Sequence, residues 1–419
     1  MAELTVPSPR VAQATSSKTI LYVYDGDWPR RATRVGKQTR SLARAGHRVV
    51  LISRNDLAQP RVERTSWMTV LRLPSVRVHW LNRLINFPFF FNPVWFRSIL
   101  RSAQEHRADY ILVRDLPLAL TALAVGRSLG IPVAYDMAEV YPEFLRDRYD
   151  FGRASWTDRL VRNPRAATLI EGAVLRRASN IIVVSEESRQ RCLRLGVDPA
   201  RIVLVGNTPD DLAAITAVPR LRDDDRSKSG EFKLLFVGIL MWDRGVAETV
   251  RAMPEILKVY PKTTLVVVGD GDERREIERV IAELGVGRNV ELLGYRDHAL
   301  LPTLYAQADI GLLPFLSGRH VKITLANKLF DYMAAGLPIV AADLPPMRRI
   351  LEETEAGELF TPGDPRSLAT TVIGLLRDSA RRRRLGENGR RAAIEKYHWG
   401  EDEQRLLGIF EEHDDAVHR

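Results

Sequence analysis

Short apolar runs rich in β-branched residues alternate with helical patterns along almost the whole chain of 419 residues. Buried parallel strands appear in a sequence as nearly continuous apolar runs, and helices connect each strand to the next. The alternation therefore predicts an α/β fold of parallel sheets covered by helices on both faces. Because one core seldom serves more than roughly 250 to 300 residues, we expect two domains.

The predicted strands fall into two series, separated by a polar, charged segment. The first series is Thr19–Asp25, Arg48–Ser53, Thr69–Leu73, Tyr110–Arg114, Pro132–Asp136, Asn180–Ser185 and Arg201–Val205; the second is Phe232–Val237, Thr264–Val268, Val290–Leu293, Ile310–Pro314, Pro338–Ala341 and Glu358–Phe360. Helices fill the gaps, for example from Thr33 to Ala45, where Gly46 suits a left-handed helix end.

These series predict two Rossmann-like doubly wound domains at 19–210 and 232–398, joined by a linker at 211–231. Residues 1–18 are expected to form a flexible tail, and a helix at 399–412 is expected to pack back on the first domain. Ligands of doubly wound sheets bind beyond the carboxyl ends of the strands, so two facing sheets predict a site in the cleft between them.

Hydropathy, cysteine content and net charge limit the classes of partner and the cellular compartment that we expect. The N-terminus lacks an apolar run, no stretch reaches the roughly 20 apolar residues of a membrane span, and Cys192 is the only cysteine, so we expect a cytoplasmic protein. A net charge of +9 favours an anionic partner: nucleic acid, phospholipid or nucleotide-sugar. The basic run 381–384 is typical of a solvated helix face, so no nucleic acid is expected, and the Asp223–Asp225 run is assigned no metal.

The stretch from Thr324 to Val340 runs from a loop through a helix into a strand. Thr324 can cap the helix, which leaves the backbone N–H groups of Leu325, Ala326 and Asn327 pointing at the loop. With Lys328 and the positive helix end, they form an anion site suited to a diphosphate. Asp331, one turn later, can accept hydrogen bonds from the paired hydroxyls of a ribose. An ordinary capped helix is the alternative interpretation.

With the motifs around it, this stretch resembles glycosyltransferase family 4, the retaining enzymes of GT-B architecture. The motifs of the second half are Phe236-Val-Gly238, Arg244-Gly245, Val268-Gly-Asp-Gly271, Leu293-Gly-Tyr295, Ala308-Asp-Ile-Gly-Leu-Leu-Pro314 and Asn327-Lys-Leu-Phe-Asp-Tyr-Met-Ala-Ala-Gly-Leu-Pro338. The first half matches with Arg44-Ala-Gly-His-Arg-Val49, Asp136-Met-Ala-Glu139, Tyr141-Pro142, Val184-Ser185 and Gly206-Asn207-Thr208. Each motif alone is weak, but their order and spacing are specific.

The resemblance implies transfer of a sugar, with retention, from a nucleotide-sugar donor to a glycan or lipid-linked acceptor, without a metal or other cofactor. It implies that Arg244 neutralises the donor diphosphate, that Asp331 holds the ribose and that Tyr295 borders the base. It also implies donor-binding and acceptor-binding sets. The donor set is Gly238, Arg244, Gly269, Tyr295, Thr324, Asn327, Lys328 and Asp331, and the acceptor set is Gly26, Asp27 and Arg34.

Three positions depart from the family pattern. Ile323 replaces an acid expected to touch the donor sugar, Ile239 replaces an arginine common after Val-Gly, and Ala138 replaces a histidine near the reacting carbon. Glu139 and Asp136 remain as candidate catalytic residues, unless they are only strand-terminal caps. The departures keep two alternatives open: a non-catalytic binding or scaffold protein of the same fold, and a GT-B sugar-nucleotide epimerase.

The segment 72–107 interleaves aromatic and apolar residues with arginines, and only Glu105 opposes their charge. This composition suits the surface of an anionic leaflet, where a lipid-linked acceptor would lie. The segment therefore predicts peripheral contact with the inner face of the cell membrane. Packing of the aromatic residues into the core of the first domain is the alternative.

Overall fold

The computed structural model describes residues 16–29, 32–55, 58–74, 90–154, 162–219 and 229–411. The chain divides into two compact units. The described part of the N-terminal unit lies within 16–206 and 400–411, and that of the C-terminal unit within 207–399. Most of the predicted tail, and the Asp223–Asp225 run, lie outside the described residues.

The N-terminal unit is built on an eight-stranded sheet with helices between the strands. Its elements are β1 (Thr19–Asp27), α1 (Thr33–Arg44), β2 (Arg48–Asn55), β3 (Val62–Arg64), β4 (Thr69–Pro74), α2 (Pro93–His106), β5 (Tyr110–Arg114), α3 (Leu116–Leu129), β6 (Val133–Met137), α4 (Tyr141–Asp150), α5 (Pro164–Arg177), β7 (Asn180–Val183), α6 (Glu186–Arg194), β8 (Ile202–Leu204) and α15 (Trp399–Glu411), of which residues from Gly400 belong to this unit.

The strand order is β3-β4-β2-β1-β5-β6-β7-β8, and every pair is parallel except β3 with β4. The order reverses between β1 and β5, where the chain moves from one half of the sheet to the other. Such a switch point opens a crevice beyond the carboxyl ends of the two central strands. The residues that follow β1 and β5 are therefore the ones to examine for binding.

Helix α15 brings the end of the described chain onto the N-terminal unit. The Phe410 ring packs edge-on against Tyr110 of β5 at 4.9 Å, and Lys18 Nζ donates to the Phe410 carbonyl at 2.6 Å. Asp402 Oδ1 accepts the backbone N–H of Gly206 at 2.7 Å. These contacts are made with residues nearly 200 to 400 positions away along the chain, so α15 completes the core of this unit.

The C-terminal unit is built on a six-stranded parallel sheet of order β11-β10-β9-β12-β13-β14. Its elements are α7 (Leu212–Ala217), β9 (Lys233–Val237), α8 (Val246–Val259), β10 (Thr264–Val268), α9 (Arg274–Leu284), β11 (Val290–Gly294), α10 (Leu301–Gln307), β12 (Ile310–Leu313), α11 (Asn327–Ala334), β13 (Ile339–Ala342), α12 (Pro345–Thr354), β14 (Gly357–Phe360), α13 (Pro365–Arg377) and α14 (Ser379–Glu395).

Numbered within this unit, the strands follow the order 3-2-1-4-5-6 of a Rossmann sheet. Its switch point lies between β9 and β12, so ligands are expected beyond the ends of those strands. Tyr332 of α11 fixes the helix against this point, because its buried hydroxyl accepts the backbone N–H of Val237 at 3.0 Å.

The predicted fold class is confirmed, and each predicted strand is present with its bounds shifted by a few residues at most. Two features differ from the sequence analysis. The three-residue antiparallel strand β3 is absent from the prediction, and the predicted linker contains helix α7, which packs on α10 and α11 of the C-terminal unit. In the described ranges, no helix combines the length and the apolar character needed to span a membrane.

Candidate functional site

Three glycines line the carboxyl ends of β9, β10 and β11 in the C-terminal unit: Gly238, Gly269 and Gly294. Gly269 has a φ of +140°, and its N–H donates to the Gly294 carbonyl at 2.9 Å. A Cβ on Gly269 would lie 1.8 Å from the carbonyl oxygen of Gly238, which no side chain tolerates. The backbones therefore approach closely at this edge, as they do where a sheet receives a dinucleotide or a diphosphate.

Arg244 lies beside the switch point of the same sheet. Gly245, which follows it, has a φ of +64° and packs so tightly on the Pro314 carbonyl, after β12, that a Cβ would lie 1.8 Å from that oxygen. The guanidinium carbon of Arg244 sits 4.6 Å from the ring centroid of Phe315. The side chain keeps 17% of its surface exposed, so this cation is held in place and still reachable by an anion.

Asp243 connects Arg244 to the loop that leads into α11. Its side chain is fully buried, and its Oδ2 lies 3.5 Å from Arg244 Nη1 and 3.6 Å from Nδ1 of the buried His320. Among the described residues, neither Asp243 carboxylate oxygen has a hydrogen-bond partner. Arg244 is therefore the permanent positive charge that lies beside this buried group.

Thr324 does not cap α11, and this prediction is wrong. The helix begins at Asn327 after an Ala326 cap, while the Thr324 hydroxyl and backbone N–H both donate to the His320 carbonyl at 3.0 Å. Because the loop turns on itself there, the helix starts two residues later than predicted, at Asn327 instead of Leu325. Its first-turn N–H groups are those of Asn327 and Lys328, which have no acceptor within the helix.

Asp331 and Lys328 face each other across one turn of α11. Lys328 Nζ donates to Asp331 Oδ2 at 2.6 Å, and the buried Tyr305 hydroxyl donates to the same oxygen at 3.1 Å. The pKa of Tyr305 is raised well above 10 by burial and by the Asp331 charge, so the hydroxyl stays protonated and donating. Tyr295, after β11, is 70% exposed.

In the N-terminal unit, Arg34 and Asp136 form a buried ion pair. Arg34 donates to both Asp136 oxygens, at 2.9 Å from Nε and 2.7 Å from Nη2, and to the carbonyls of Val205 and Gly206. Gln38 Nε2 donates to Asp136 at 3.1 Å. The Asp136 and Arg34 side chains are 0% and 3% exposed. Neither can touch a substrate as predicted: together they hold β6 against α1 and the segment after β8.

The other acceptor-side candidates lie at the carboxyl edge of β1 and β6. Gly26 packs over the Tyr24 ring, with no room for a Cβ, and Asp27 is partly exposed. Glu139, just after β6, is also partly exposed, so of the two predicted catalytic residues it alone is accessible.

Asp115 is a further candidate that the sequence analysis did not name. It follows β5 at the switch point and has φ 63° and ψ 161°, a combination almost restricted to glycine. Burial raises its pKa to about 7; Arg114 opposes this shift, while Glu139 and Asp136 add to it. The Asp-Leu-Pro sequence suggests only a helix cap, so no signal in the sequence marks this residue as a candidate.

The membrane-facing prediction for 72–107 is wrong for key described residues. Phe90 and Trp95 are 5% and 3% exposed and belong to the core, and Arg72 is buried, donating to Glu63 at 2.5 Å. Apolar packing of these rings outweighs exposure at an interface. On α2, arginines such as Arg101 remain exposed, and positions 75–89 lie outside the described residues.

At the three departures, Ile239 and Ile323 are partly exposed and Ala138 is buried. None of these side chains supplies a hydrogen bond. Over the described ranges, no cluster of three or more histidine, cysteine or acidic residues could hold a metal ion.

Two family models match the chain. "Glycosyl transferase 4-like domain" matches residues 32–208, and "Glycosyl transferases group 1" matches residues 218–392. The chain belongs to the GT-B glycosyltransferases. Each unit thus carries its own glycosyltransferase domain, and the resemblance found in the sequence is confirmed.

Individual proteins agree with this assignment. A phosphatidyl-myo-inositol mannosyltransferase of Mycobacterium leprae is 30% identical over 40% of this glycosyltransferase, and the chain spans only 43% of that relative's length. Sucrose-phosphate synthase of Thermosynechococcus elongatus has a similar fold, with a TM-score of 0.77, 21% identity and coverage of 95% and 100% of the two chains. The structure of Anabaena HepE in complex with UDP-glucose has a similar fold, with a TM-score of 0.70 and 18% identity. The match covers 94% of this chain and 99% of that one.

Proposed function

We propose that this glycosyltransferase moves a hexose, with retention, from a nucleotide-sugar donor to a glycan or lipid-linked acceptor. The observation that carries the proposal is the group of residues at the β9–β12 switch point: a held, reachable Arg244, the open first turn of α11, and the Asp331 carboxylate within that helix. Cation, amide donors and carboxylate are the three groups that a diphosphate with an attached ribose requires.

Each group has capacity left for a ligand. A carboxylate offers about four acceptor sites, and two of those of Asp331 go to Lys328 and Tyr305, which leaves room for ribose hydroxyls. Arg244 is fixed by Phe315 on one side and by Asp243 on the other, so little side-chain freedom is lost when a phosphate binds.

The same residues can assist the chemistry. When the bond between the sugar and the diphosphate breaks, negative charge grows on the departing phosphate. Arg244 and the amides of α11 stabilise that charge without reorganising. In this scheme no divalent metal is needed, and we propose a metal-independent reaction at the cytoplasmic face of the membrane. Exposed arginines on α2, such as Arg97 and Arg101, would contribute to attraction by anionic lipids.

The proposal is tested by calorimetric titration with UDP-glucose and GDP-mannose, followed by transfer assays with and without EDTA. Arg244→Ala should weaken donor binding by about 10- to 100-fold, the value of a charge-assisted contact. Arg251→Ala is the matched control, because this arginine of α8 is exposed and pairs with Glu248 and Glu276. Equal affinity in the Arg244 and Arg251 variants would contradict the proposed donor site.

A non-catalytic binding protein is the second candidate, favoured by Ile239, Ile323 and Ala138, none of which can hydrogen-bond. It predicts donor binding that depends on Arg244 with no turnover of any sugar nucleotide. An epimerase predicts a free nucleotide or a sugar isomer formed without any acceptor. Product analysis by mass spectrometry and NMR separates the three.

A further inference from the structure

The guanidinium group of Arg114 lies at the switch point of the N-terminal sheet and donates no hydrogen bond to any described residue. Its Nε and Nη1 are buried without a hydrogen-bond partner, whereas Nη2 is not buried, and the side chain keeps 17% of its surface exposed. A buried donor without an acceptor is costly, most of all on a charged group. Arg114 therefore holds unused hydrogen-bonding capacity at a position where a ligand can reach it.

Contacts on two sides hold Arg114 in this position. Its guanidinium carbon lies 5.4 Å from the ring centroid of Tyr24 of β1, and its Nε lies 3.3 Å from Asp115 Oδ2. The Tyr24 ring is in turn confined by Gly26, because a Cβ on that glycine would lie 2.3 Å from Tyr24 Cζ. Arg114 is thus fixed before a ligand arrives, and little side-chain freedom is lost when one binds.

Hydrogen-bonding groups of both kinds lie close to Arg114. The Asp115 carboxylate accepts the backbone N–H of Glu139, which brings the turn after β6 beside Arg114. The partly exposed Glu139 carboxylate forms no hydrogen bond or ion pair with any described residue, and the Tyr24 hydroxyl forms no hydrogen bond with any of them either. Burial raises the pKa of Tyr24, so its hydroxyl stays protonated. A donor, an acceptor and a hydroxyl that can act as either are therefore available together.

The site lined by Tyr24, Arg114, Asp115 and Glu139, here called the β1–β5 crevice, disfavours an anionic ligand. Arg114 supplies the only positive charge of these four residues, and that charge already faces Asp115 at 3.3 Å. Glu139 adds a second carboxylate. A phosphate or carboxylate placed in the crevice would therefore meet like charge, whereas a neutral hydroxyl group would not.

We infer that the β1–β5 crevice binds neighbouring hydroxyl groups of a neutral sugar, and that Arg114 determines this specificity. The inference rests on the proposed function and names the class of its acceptor. A hydroxyl group both donates and accepts, so two neighbouring hydroxyls match a guanidinium and a carboxylate that lie side by side. Arg114 donates to the oxygen of one hydroxyl, and the Glu139 carboxylate accepts the proton of the other. Uronic acids and phosphorylated sugars are rejected by charge.

The test measures the affinity of the full chain for small sugars without any donor, by saturation-transfer NMR titration. Methyl β-D-glucoside and methyl α-D-mannoside are the neutral probes, and methyl β-D-glucuronide differs from the glucoside only in its carboxylate. Arg114→Lys keeps the positive charge and removes the planar set of donors. Arg127→Lys is the matched control, because Arg127 is an exposed arginine of the neighbouring helix α3. Donor affinity is measured separately by calorimetry with UDP-glucose and GDP-mannose.

We expect the wild type to bind the glucoside at least about 10-fold more tightly than the glucuronide. Arg114→Lys should weaken binding of the neutral glycosides by about 10- to 100-fold, the value of a hydrogen bond from a charged group, and should bring the glucoside and glucuronide close to equal affinity. Arg127→Lys should match the wild type. A merely structural role of Arg114 would lower the urea midpoint of Arg114→Lys without changing the ratio of the two affinities.

The outcomes separate this inference from the proposed function. Tighter binding of the glucuronide than of the glucoside by the wild type would overturn the inference, and so would the absence of binding to both neutral glycosides. Equal affinity for the glucoside in Arg114→Lys and Arg127→Lys would overturn the role of Arg114. In each of these cases, donor binding that depends on Arg244 leaves the proposed function standing. Glycoside binding by a wild type that binds neither donor would instead contradict the proposed function, and with it the role of the sugar as an acceptor.

Discussion

Asp115→Asn should be more stable than the wild type by an amount that is larger at alkaline pH than at acidic pH. Burial raises the pKa of this carboxyl from its ordinary 3.8 to about 7 in the folded chain. Between those values the folded state holds a proton that the unfolded state has lost. The wild type therefore loses stability as pH rises through this window, and asparagine, which does not ionise, removes that loss.

The size of the effect follows from the two pKa values. Each pKa unit is worth about 1.4 kcal/mol, so the full window of about three units corresponds to about 4 kcal/mol. Measurements between pH 5 and pH 8 cover about two of these units. The stability advantage of Asp115→Asn should thus grow by about 3 kcal/mol between pH 5 and pH 8.

Urea unfolding followed by circular dichroism at half-unit pH steps gives this difference directly. Asp198→Asn is the control, because that residue is exposed and its cap bond to the Ala200 N–H can be made equally by asparagine. An advantage of Asp115→Asn that stays constant from pH 5 to pH 8 would refute the assignment of a raised pKa to this partly buried carboxyl.

Three further substitutions test the framework around the two sites by urea unfolding. Gly269→Ala should lower the free energy of unfolding by more than about 2 kcal/mol, since the new Cβ would lie 1.8 Å from a backbone carbonyl oxygen. As the control, Gly374→Ala in the open interior of α13 should leave the free energy of unfolding unchanged or raise it by up to about 1 kcal/mol. Tyr332→Phe should cost about 1 to 3 kcal/mol because the buried Val237 N–H loses its acceptor, and an unchanged midpoint would contradict that contact. Arg34→Ala should cost about 3 to 5 kcal/mol because it leaves a buried carboxylate without its cation; a loss below 1 kcal/mol would point to a surface role instead.

The strands and the fold class could be predicted because they depend on local patterns. Apolar β-branched runs such as Thr264–Val268 are long enough to indicate buried parallel strands without further context. Strand β3 could not be predicted because Val62–Arg64 is only three residues long and mostly polar, and it forms by pairing with β4. The start of α11 was misplaced because the Thr324 hydroxyl turned to the His320 carbonyl, a loop contact that the sequence does not specify.

The donor-site candidates of the C-terminal unit could be named from the sequence because Arg244 and Asp331 lie in short motifs whose spacing is fixed, and their role stays a prediction. The buried ion pair of the N-terminal unit could not be predicted, since Arg34 and Asp136 are 102 positions apart and their pairing depends on how α1 packs over the sheet. The strain at Asp115 likewise arises from tertiary packing. Features that depend on neighbouring residues could thus be predicted from the sequence, whereas features that depend on packing between distant segments could not.

The N-terminal unit is assembled from two stretches of chain, 16–206 and 400–411, with all 193 residues from 207 to 399 between them. At a synthesis rate of about 5 to 20 residues per second, roughly 10 to 40 seconds separate the making of Gly206 from that of its partner Asp402. During that time the N-terminal sheet lacks the Phe410 ring, and the C-terminal unit has all of its described residues as soon as Trp399 has been made, before Phe410 is added. The half of the protein that is synthesised first is thus the half whose core is completed last.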